Sequence, residues 1–220
     1  MPRRDIIIFD VCNTLYDSNT TFDFIRFVLA QGRRWKLVWF KLLTFKLSPV
    51  FIGFTLLGKL HQKDLLRNNA VQLLKGFSKK ELQELATAFY RQYLQEKKMP
   101  DTLQMLEGAR LNGEVWLFSN SLEPVIEAIA KDLHVSYEAT QLAYNSDGTF
   151  TGKISRDLSG KKKDIFEQRF GKHASIKMMC SDNHSDQEIL KLAEKPYVVL
   201  YREADRKFWE QLNPTFIEKF

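Results

Sequence analysis

Four short apolar runs constrain the fold of this 220-residue chain more than any other feature of its sequence. The first is Ile6–Phe9, a β-branched and aromatic run bounded by polar residues, and the others lie at residues 114–121, 175–183 and 196–203. Such runs are typical of strands buried on both faces. Each of the first three ends in small polar or acidic residues and precedes a helical pattern. Strand, loop and helix in this repeated order predict an α/β fold with a Rossmann-like parallel sheet core.

The long segment between the first two runs carries helical signals and no strand signal. Residues 63–76 form an amphipathic helical pattern that ends at Gly76, and Ser78 with Glu81 forms a capping box ahead of a second such pattern. We therefore predict an inserted helical cap domain at residues 19–99 and a core domain made of residues 1–18 and 100–220. Because the cap follows the first strand directly, we expect it to cover the site at the end of that strand.

Composition limits which class of protein this is and which kinds of disulfide or metal site it can form. The chain is 44% hydrophobic, enough for a full core, and contains only two cysteines, Cys12 and Cys180. Two cysteines cannot build a disulfide framework or a structural zinc site by themselves, so a metal would have to be bound by oxygen. The run Ile6–Phe9 is too short for the core of a signal peptide, which predicts a cytoplasmic protein.

Polar side chains gather at the predicted carboxyl ends of the strands and at the start of one helix. The set contains three acids, two hydroxyls and two lysines: Asp10, Thr14, Ser119, Lys162, Lys163, Asp182 and Asp186. Phosphoryl transfer needs such groups, namely a carboxylate nucleophile, a hydroxyl and a lysine for the phosphate oxygens, and acids for a divalent cation. Three carboxylates and a phosphate can share a small cavity only if cations neutralise them, and oxygen ligands suit Mg²⁺.

These stretches resemble, in order and spacing, the four motifs of the haloacid dehalogenase (HAD) superfamily. "FDVCNTLYD" is similar to the first motif, "VWLFSNS" to the second, the lysine of "GKKKDIF" to the third and "CSDNHSDQEIL" to the fourth. Alternation around Asp147 and Gly148 predicts a β-hairpin. This hairpin resembles the one ahead of the lysine in the phosphoserine-phosphatase-like branch, whose helical cap also follows the first motif. The resemblance covers essentially the whole chain.

The resemblance implies a Mg²⁺-dependent phosphatase that hydrolyses a small phosphorylated metabolite through an aspartyl-phosphate on Asp10. It implies metal ligands at Asp10, Cys12 (through its main-chain carbonyl), Asp182 and Asp186, and phosphate-binding groups at Thr14, Ser119, Asn120 and Lys162. The third-motif lysine has two candidates. Apolar residues three and four positions later favour Lys162, whereas the spacing from Gly160 points to Lys163; we favour Lys162.

The first motif departs from the family pattern at Cys12, where the family's phosphatases usually carry a second aspartate. That residue protonates the leaving alkoxide and then activates water, a role worth about 10²- to 10⁴-fold. A thiol, with an ordinary pKa of about 8.5, is a poor substitute. The chain is therefore a phosphatase for good leaving groups such as acyl or anomeric phosphates, a phosphotransferase or phosphonate-type hydrolase, or a catalytically impaired relative that binds a phosphorylated ligand or an anionic membrane.

The net charge of +6 is unevenly distributed, because residues 27–63 contain no acid and mix basic with aromatic side chains. The longest uncharged run there, residues 47–58, is far shorter than the ~20 residues that span a bilayer. A membrane-surface helix is one interpretation. We prefer the interpretation that these residues form the core and the outer face of the cap. No nucleic-acid-binding module is recognisable, so no nucleic-acid partner is expected.

Overall fold

The computed structural model describes residues 5–61 and 64–220, without the side chains of Lys59 and His61. The described strands are β1 (Ile6–Phe9), β2 (Glu114–Leu122), β3 (Ser136–Tyr144), β4 (Phe150–Arg156), β5 (Ile176–Ser181), β6 (Ala193–Leu200) and β7 (Thr215–Glu218). They form one sheet in the order β4-β3-β2-β1-β5-β6-β7. Neighbouring strands are parallel except in the β3–β4 hairpin. The predicted α/β, Rossmann-like fold class is confirmed, and β1 lies at the centre of the sheet.

Five of the described helices lie between β1 and residue 99, in the segment predicted as the cap. The helices are α1 (Thr20–Ala30), α2 (Arg34–Thr44), α3 (Pro49–His61), α4 (Leu65–Gln72), α5 (Lys79–Gln92), α6 (Pro100–Ala109), α7 (Glu123–Leu133), α8 (Lys162–Phe170), α9 (Gln187–Leu190) and α10 (Arg206–Trp209). The predicted capping box of Ser78 and Glu81 opens α5. The boundary of the cap domain stays a prediction.

The end of α4 differs from the sequence prediction. The helix stops at Gln72, four residues before Gly76. Leu74 N donates to Val71 O at 3.0 Å, and Lys75 N donates to Gln72 O at 3.0 Å. These i to i+3 hydrogen bonds form tight turns in place of further α-helical turns, so the α-helix ends here. The apolar side chains that extended the helical pattern lie in these turns. The chain then reverses at Gly76, whose φ of 94° suits glycine.

Both faces of β1 are buried, as its uniformly apolar sequence predicts. Ile7 and Phe9 belong to one hydrophobic cluster, whereas Ile6 and Ile8 belong to another. Alternate residues of a strand point to opposite faces of a sheet, so the two clusters lie on the two sides of β1. The first cluster also contains apolar residues of α1 and α5. The inserted helices therefore pack on one side of the sheet through a shared core.

The basic aromatic segment forms α2 and α3, and it contributes few residues to the core. Within α2 only Phe40 and Leu43 are buried. The core interpretation therefore holds for those two residues, and most large apolar side chains of α2 and α3 face solvent. In the described part of the chain, no single helix is long and apolar enough to cross a membrane. Helix α2 and the segment Pro49–Gly58 together meet that criterion, but they are bent by 62° at the break between them.

Candidate active site

A cavity of 220 Å³ lies at the carboxyl ends of the central strands. The loops after β1 and β5 and the carboxyl end of β2 form its floor, and residues from the starts of α1 and α4 form its cap side. Five residues predicted from the sequence line it: Asp10, Cys12, Ser119, Asn120 and Asp182. Lys162 and Asp186 are buried in contact with this group. Residues far apart in sequence thus meet at one edge of the sheet, as parallel strands require.

The loop after β1 gives the first motif its shape. Asp10 N donates to Cys180 O of β5 at 2.9 Å, which extends the sheet pairing to the acid itself. Leu15 N then donates back to Val11 O at 3.0 Å, so the chain winds into a tight turn. Asn13 has a φ of 48°, a left-handed conformation that asparagine tolerates better than most other residues. The turn holds Asp10 on the cavity floor.

Lys162 is the lysine of the site. Its Nζ donates to Asp10 Oδ1 at 2.8 Å and to Asp186 Oδ2 at 2.6 Å, and all three side chains are buried. Ser181 Oγ donates to the same Asp186 oxygen at 2.6 Å. Lys163, the alternative candidate, lies outside this network, with its Nζ partly exposed and 3.9 Å from Glu167. The difference follows from helix geometry, because consecutive residues at the start of α8 point to different sides.

Burial and mutual repulsion raise the affinity of the carboxylates for protons. Burial, opposed by Lys162 and reinforced by Asp186, raises the pKa of Asp10 to about 6. Burial and the charge of Asp10 raise the pKa of Asp182 to about 7. Burial alone would lower the pKa of Lys162, but Asp10 and Asp186 raise it above its ordinary value. The single positive charge of Lys162 therefore does not balance the negative charges of the three acids, so the cavity favours the binding of a further cation.

The donor set fits Mg²⁺ better than a softer metal. The carboxylates of Asp10 and Asp182 line the same cavity, and the resemblance adds the main-chain carbonyl of Cys12. Within the described ranges, no three His, Cys, Asp or Glu side chains converge as a metal-binding group. In the same ranges, buried Asp186 Oδ1 has no hydrogen-bond partner. Two carboxylates, a carbonyl and an unsatisfied carboxylate oxygen behind them form an oxygen-only set, which suits a hard cation.

The predicted phosphate-binding residues occupy different places. Ser119 is buried on the cavity wall, and its Oγ accepts a hydrogen bond from Ser121 N at 3.2 Å. Asn120 also lines the cavity, and its buried Oδ1 has no partner in the part of the chain that the structure describes. Thr14 is fully buried outside the cavity lining, and its Oγ1 donates to Asp182 Oδ1 at 3.3 Å. The hydroxyl of Thr14 thus orients a carboxylate instead of facing the cavity.

Cys12 lies in a cluster of neutral groups. Its Sγ is 3.0 Å from Thr20 Oγ1 and 3.0 Å from Ser121 Oγ, and these two hydroxyls also contact each other. Burial and the charge of Asp10 raise the pKa of the Cys12 thiol above its ordinary value. The side chain therefore faces the cavity as a neutral thiol, which is neither an effective acid nor a thiolate at neutral pH.

Arg67 of α4 is a site residue that the sequence reasoning missed. Its Nη1 pairs with Asp157 at 2.9 Å, while its Nη2 donates to Asn120 O at 2.6 Å and to Thr140 Oγ1 at 3.0 Å. The side chain is buried and lines the cavity, so it joins the inserted helices to the second-motif loop. Only its basic charge within an amphipathic pattern could have drawn notice, and Asp157 is 90 positions away in sequence.

On the cap side of the cavity, the N-terminus of α1 suits an anion, whereas the carboxylate of Asp64 adds a negative charge at the N-terminus of α4. Asn19 accepts from Phe22 N at the start of α1, and Asp64 accepts from Arg67 N at the start of α4. Both capping residues line the cavity, so the N-termini of two helices border it. Helix N-termini carry partial positive charge and favour bound anions.

Comparisons with known proteins agree with this architecture. A protein with unknown function from Bordetella pertussis Tohama I superposes with a TM-score of 0.76 at 18% identity, over 99% of this chain and 100% of that one. A phosphoserine phosphohydrolase-like protein from Francisella tularensis subsp. tularensis SCHU S4 gives 0.61 at 19% identity, over 97% and 94%. A phospho-aspartyl intermediate analogue of phosphoserine phosphatase gives 0.60 at 17% identity, over 99% and 94%. These structures share the fold.

No curated protein sequence matches the chain significantly. A family model does match: that of the haloacid dehalogenase-like hydrolases, over residues 7–191. The matched range begins in β1 and ends just after α9, so it contains all four motif regions and the inserted helices. With most of its length matched, the chain belongs to the haloacid dehalogenase-like hydrolase family.

Proposed function

We propose that this hydrolase is a Mg²⁺-dependent phosphatase that acts on a small phosphorylated metabolite through an aspartyl-phosphate at Asp10. One observation carries the proposal: Asp10 directly follows the central strand, lies 2.8 Å from Lys162 and lines a cavity together with Ser119 and Asp182. The fold shared with phosphoserine phosphatase supports the same chemistry. The cavity of 220 Å³ supports a small substrate, because pockets for drug-sized ligands span about 300–1,000 Å³.

In this proposal Lys162 prepares the nucleophile. Its hydrogen bond to Oδ1 of Asp10 orients the carboxylate and favours its ionised form, against the opposing effect of burial. The other carboxylate oxygen attacks phosphorus. An Asp10 O–P bond forms, the P–O bond to the leaving group breaks, and the leaving group departs with the bonding electrons. Attack of water on the acyl-phosphate then releases inorganic phosphate and restores Asp10.

Several residues hold the phosphoryl group and its countercharge. Ser119 and Asn120 line the cavity from the second strand, and in this proposal their hydroxyl and amide bind the phosphate oxygens. Asp10, Asp182 and the carbonyl of Cys12 would hold Mg²⁺, with Asp186 behind them. When bound, Mg²⁺ neutralises the carboxylates and the phosphate, which otherwise repel each other in this cavity. Thr14 keeps Asp182 oriented through its hydroxyl.

Cys12 determines which leaving groups can depart. A neutral thiol with a raised pKa is a far weaker proton donor than a carboxyl group. An alkoxide needs a proton as it leaves, whereas a carboxylate or an aryl oxide departs without one. We therefore propose substrates with stable leaving groups, such as acyl phosphates, in preference to simple alkyl phosphates.

The test compares the rates at which the enzyme hydrolyses three phosphates whose leaving groups have increasing pKa: acetyl phosphate, p-nitrophenyl phosphate and an alkyl phosphate. With Mg²⁺ we expect the wild type to lose rate steeply along the series and Asp10→Asn to be inactive throughout. Cys12→Asp should gain about 10²- to 10⁴-fold on the alkyl phosphate. Cys12→Ser is the control, because it keeps the size and adds no acid. Inactivity of both the wild type and Cys12→Asp on every substrate would refute the proposal.

A further inference from the structure

Helices α2 and α3 present an apolar surface to solvent, which we call the α2–α3 face. Ten of the thirteen large hydrophobic side chains exposed among the described residues lie between Trp35 and Leu60. Eight of them define the face: Trp35, Val38, Trp39, Leu42, Phe45, Ile52, Leu56 and Leu60. Single exposed apolar side chains are normal, but eight of them on two helices in contact with each other are typical of an interaction surface.

The spacing of the exposed apolar residues on α2 shows that they form a second apolar side of the helix, distinct from the side that packs in the core. Trp35, Val38, Trp39 and Leu42 follow the i, i+3, i+4, i+7 pattern, which places them along one side of the helix. The opposite side packs inward through residues such as Phe40. A soluble helix needs one apolar side, so the outer one requires another explanation.

The inner side of α2 is fixed to the rest of the protein. Lys36 Nζ donates to Leu73 O at 2.7 Å and to Lys75 O at 3.3 Å. Phe40 and Phe22 lie against each other, with ring centroids 6.3 Å apart, and both line a 410 Å³ cleft. Phe22 also lines the catalytic cavity. The α2 part of the face is therefore the outer side of a helix whose inner side contacts α1, and α1 borders the catalytic cavity through Phe22.

Charge indicates what the face meets. Residues 27–63 carry seven lysine and arginine residues and no acid. Arg34, Lys41 and Lys46 are exposed beside the apolar side chains. A second copy of this face would place cations against cations with no acid to pair them. An anionic lipid surface offers phosphate groups for the cations and an apolar interior for the tryptophan and leucine side chains.

We propose that the α2–α3 face docks this protein on anionic membrane surfaces as a peripheral helix pair. Because the inner side of α2 packs against the protein through Phe40 and Leu43, the pair is expected to lie on the bilayer and not to cross it. The inference is independent of the proposed phosphatase activity, since the face and the catalytic groups are different residues.

The test is flotation of purified protein with vesicles of phosphatidylcholine containing about 30 mol % phosphatidylglycerol, compared with phosphatidylcholine alone. We expect flotation with the anionic vesicles at about 0.1 M salt and much less at about 0.5 M. Trp35→Ser combined with Leu42→Ser should lower the bound fraction at least about tenfold, because both side chains lose their apolar transfer. Leu111→Ser is the matched control, since Leu111 is 87% exposed outside the face.

Charge-reversal variants measure the electrostatic contribution to vesicle binding. The double variant Arg34→Glu/Lys41→Glu should bind the anionic vesicles more weakly than the wild type. Lys80→Glu, at an exposed position of α5 outside the face, should not. Circular dichroism melts show whether each variant is folded, and only variants that melt like the wild type are compared. Three results would overturn the proposal: no flotation of the wild type at low salt, equal flotation of the Trp35/Leu42 and Leu111 variants, or retention on vesicles after alkaline carbonate extraction. Self-association that the Trp35/Leu42 variant abolishes, without vesicle binding, would assign the face to a second copy instead.

Discussion

Replacing Lys162 with methionine is expected to destabilise the protein more than any other single change in the site. Methionine keeps the apolar stem but removes the two hydrogen bonds to Asp10 and Asp186, at 2.8 and 2.6 Å. These side chains are 1–4% exposed, so solvent cannot replace the lost cation. Removing one partner of a buried ion pair costs about 3–5 kcal/mol. For a chain of this size, about 2–4 °C per kcal/mol gives a fall in Tm of roughly 6–20 °C.

The loss should depend on pH in a defined direction. Burial already raises the pKa of Asp10 from its ordinary 3.8 to about 6, and losing Lys162 raises it further. A carboxyl group whose pKa is higher in the folded state binds a proton more tightly when folded, so stability falls as pH rises through that range. The variant should therefore be closest to wild type at pH 5 and furthest from it at pH 8. Melting curves in EDTA, read by circular dichroism at both pH values, measure the difference.

Lys163→Met is the matched control for this experiment. Lys163 is partly exposed and 3.9 Å from Glu167, a geometry that contributes little. We expect it to melt within ~2 °C of wild type, as a surface change worth less than ~0.5 kcal/mol should, and to keep activity, while Lys162→Met loses it. If Lys162→Met melts as the wild type does at pH 8, or if Lys163→Met costs as much, the buried network has been assigned wrongly.

Two further predictions concern the other charged groups of the site. Asp182→Asn should raise the Tm of the metal-free protein at pH 8, because a group with a folded pKa of about 7 against an ordinary 3.8 opposes folding once it is ionised. We expect Mg²⁺ to raise the Tm of the wild type and not that of this variant; an equal response of the two proteins would contradict Asp182 as a ligand. Arg67→Ala should lower the free energy of unfolding in urea by about 1–3 kcal/mol, since Asn120 O and Asp157 lose a buried donor. Arg67→Lys should recover only part of this, because a lysine cannot form the guanidinium fork; full recovery would mean that charge alone matters.

Local sequence patterns predicted the parts of the fold that local physics determines. The run Ile6–Phe9 gave a strand buried on both faces, and the capping box at Ser78 gave the start of α5. Alternation around Asp147 and Gly148 gave the β3–β4 hairpin. Each of these signals lies within a few residues of the structure it specifies. The short edge strand β7 was not predicted, because four residues carry little periodicity and the strand depends on pairing with β6.

Contacts between distant residues could not be predicted in the same way. The pairing of Arg67 with Asp157 joins positions 90 apart, and no pattern near either residue specifies it. Phosphate binding by Thr14 stays a prediction; the hydrogen bond from its hydroxyl to Asp182, 168 positions away, is a contact that no local pattern specifies. Periodicity also shows which side chains of α2 share a face, yet it does not show whether another element covers that face.

The two departures from a simple expectation lie on opposite sides of the same inserted segment. On its inner side, Thr20 at the start of α1 helps to hold the neutral thiol of Cys12 in the cavity, where the lysine and the carboxylates keep the geometry for phosphate capture. On its outer side, Trp35 and its neighbours leave an apolar and basic surface uncovered in the described structure. In the proposed function the thiol limits the proton that the leaving group can receive, and in the proposed docking the surface would hold the enzyme at an anionic membrane. Because neither feature touches the Asp10–Lys162 pair, both can change the choice of substrate while the nucleophile stays intact.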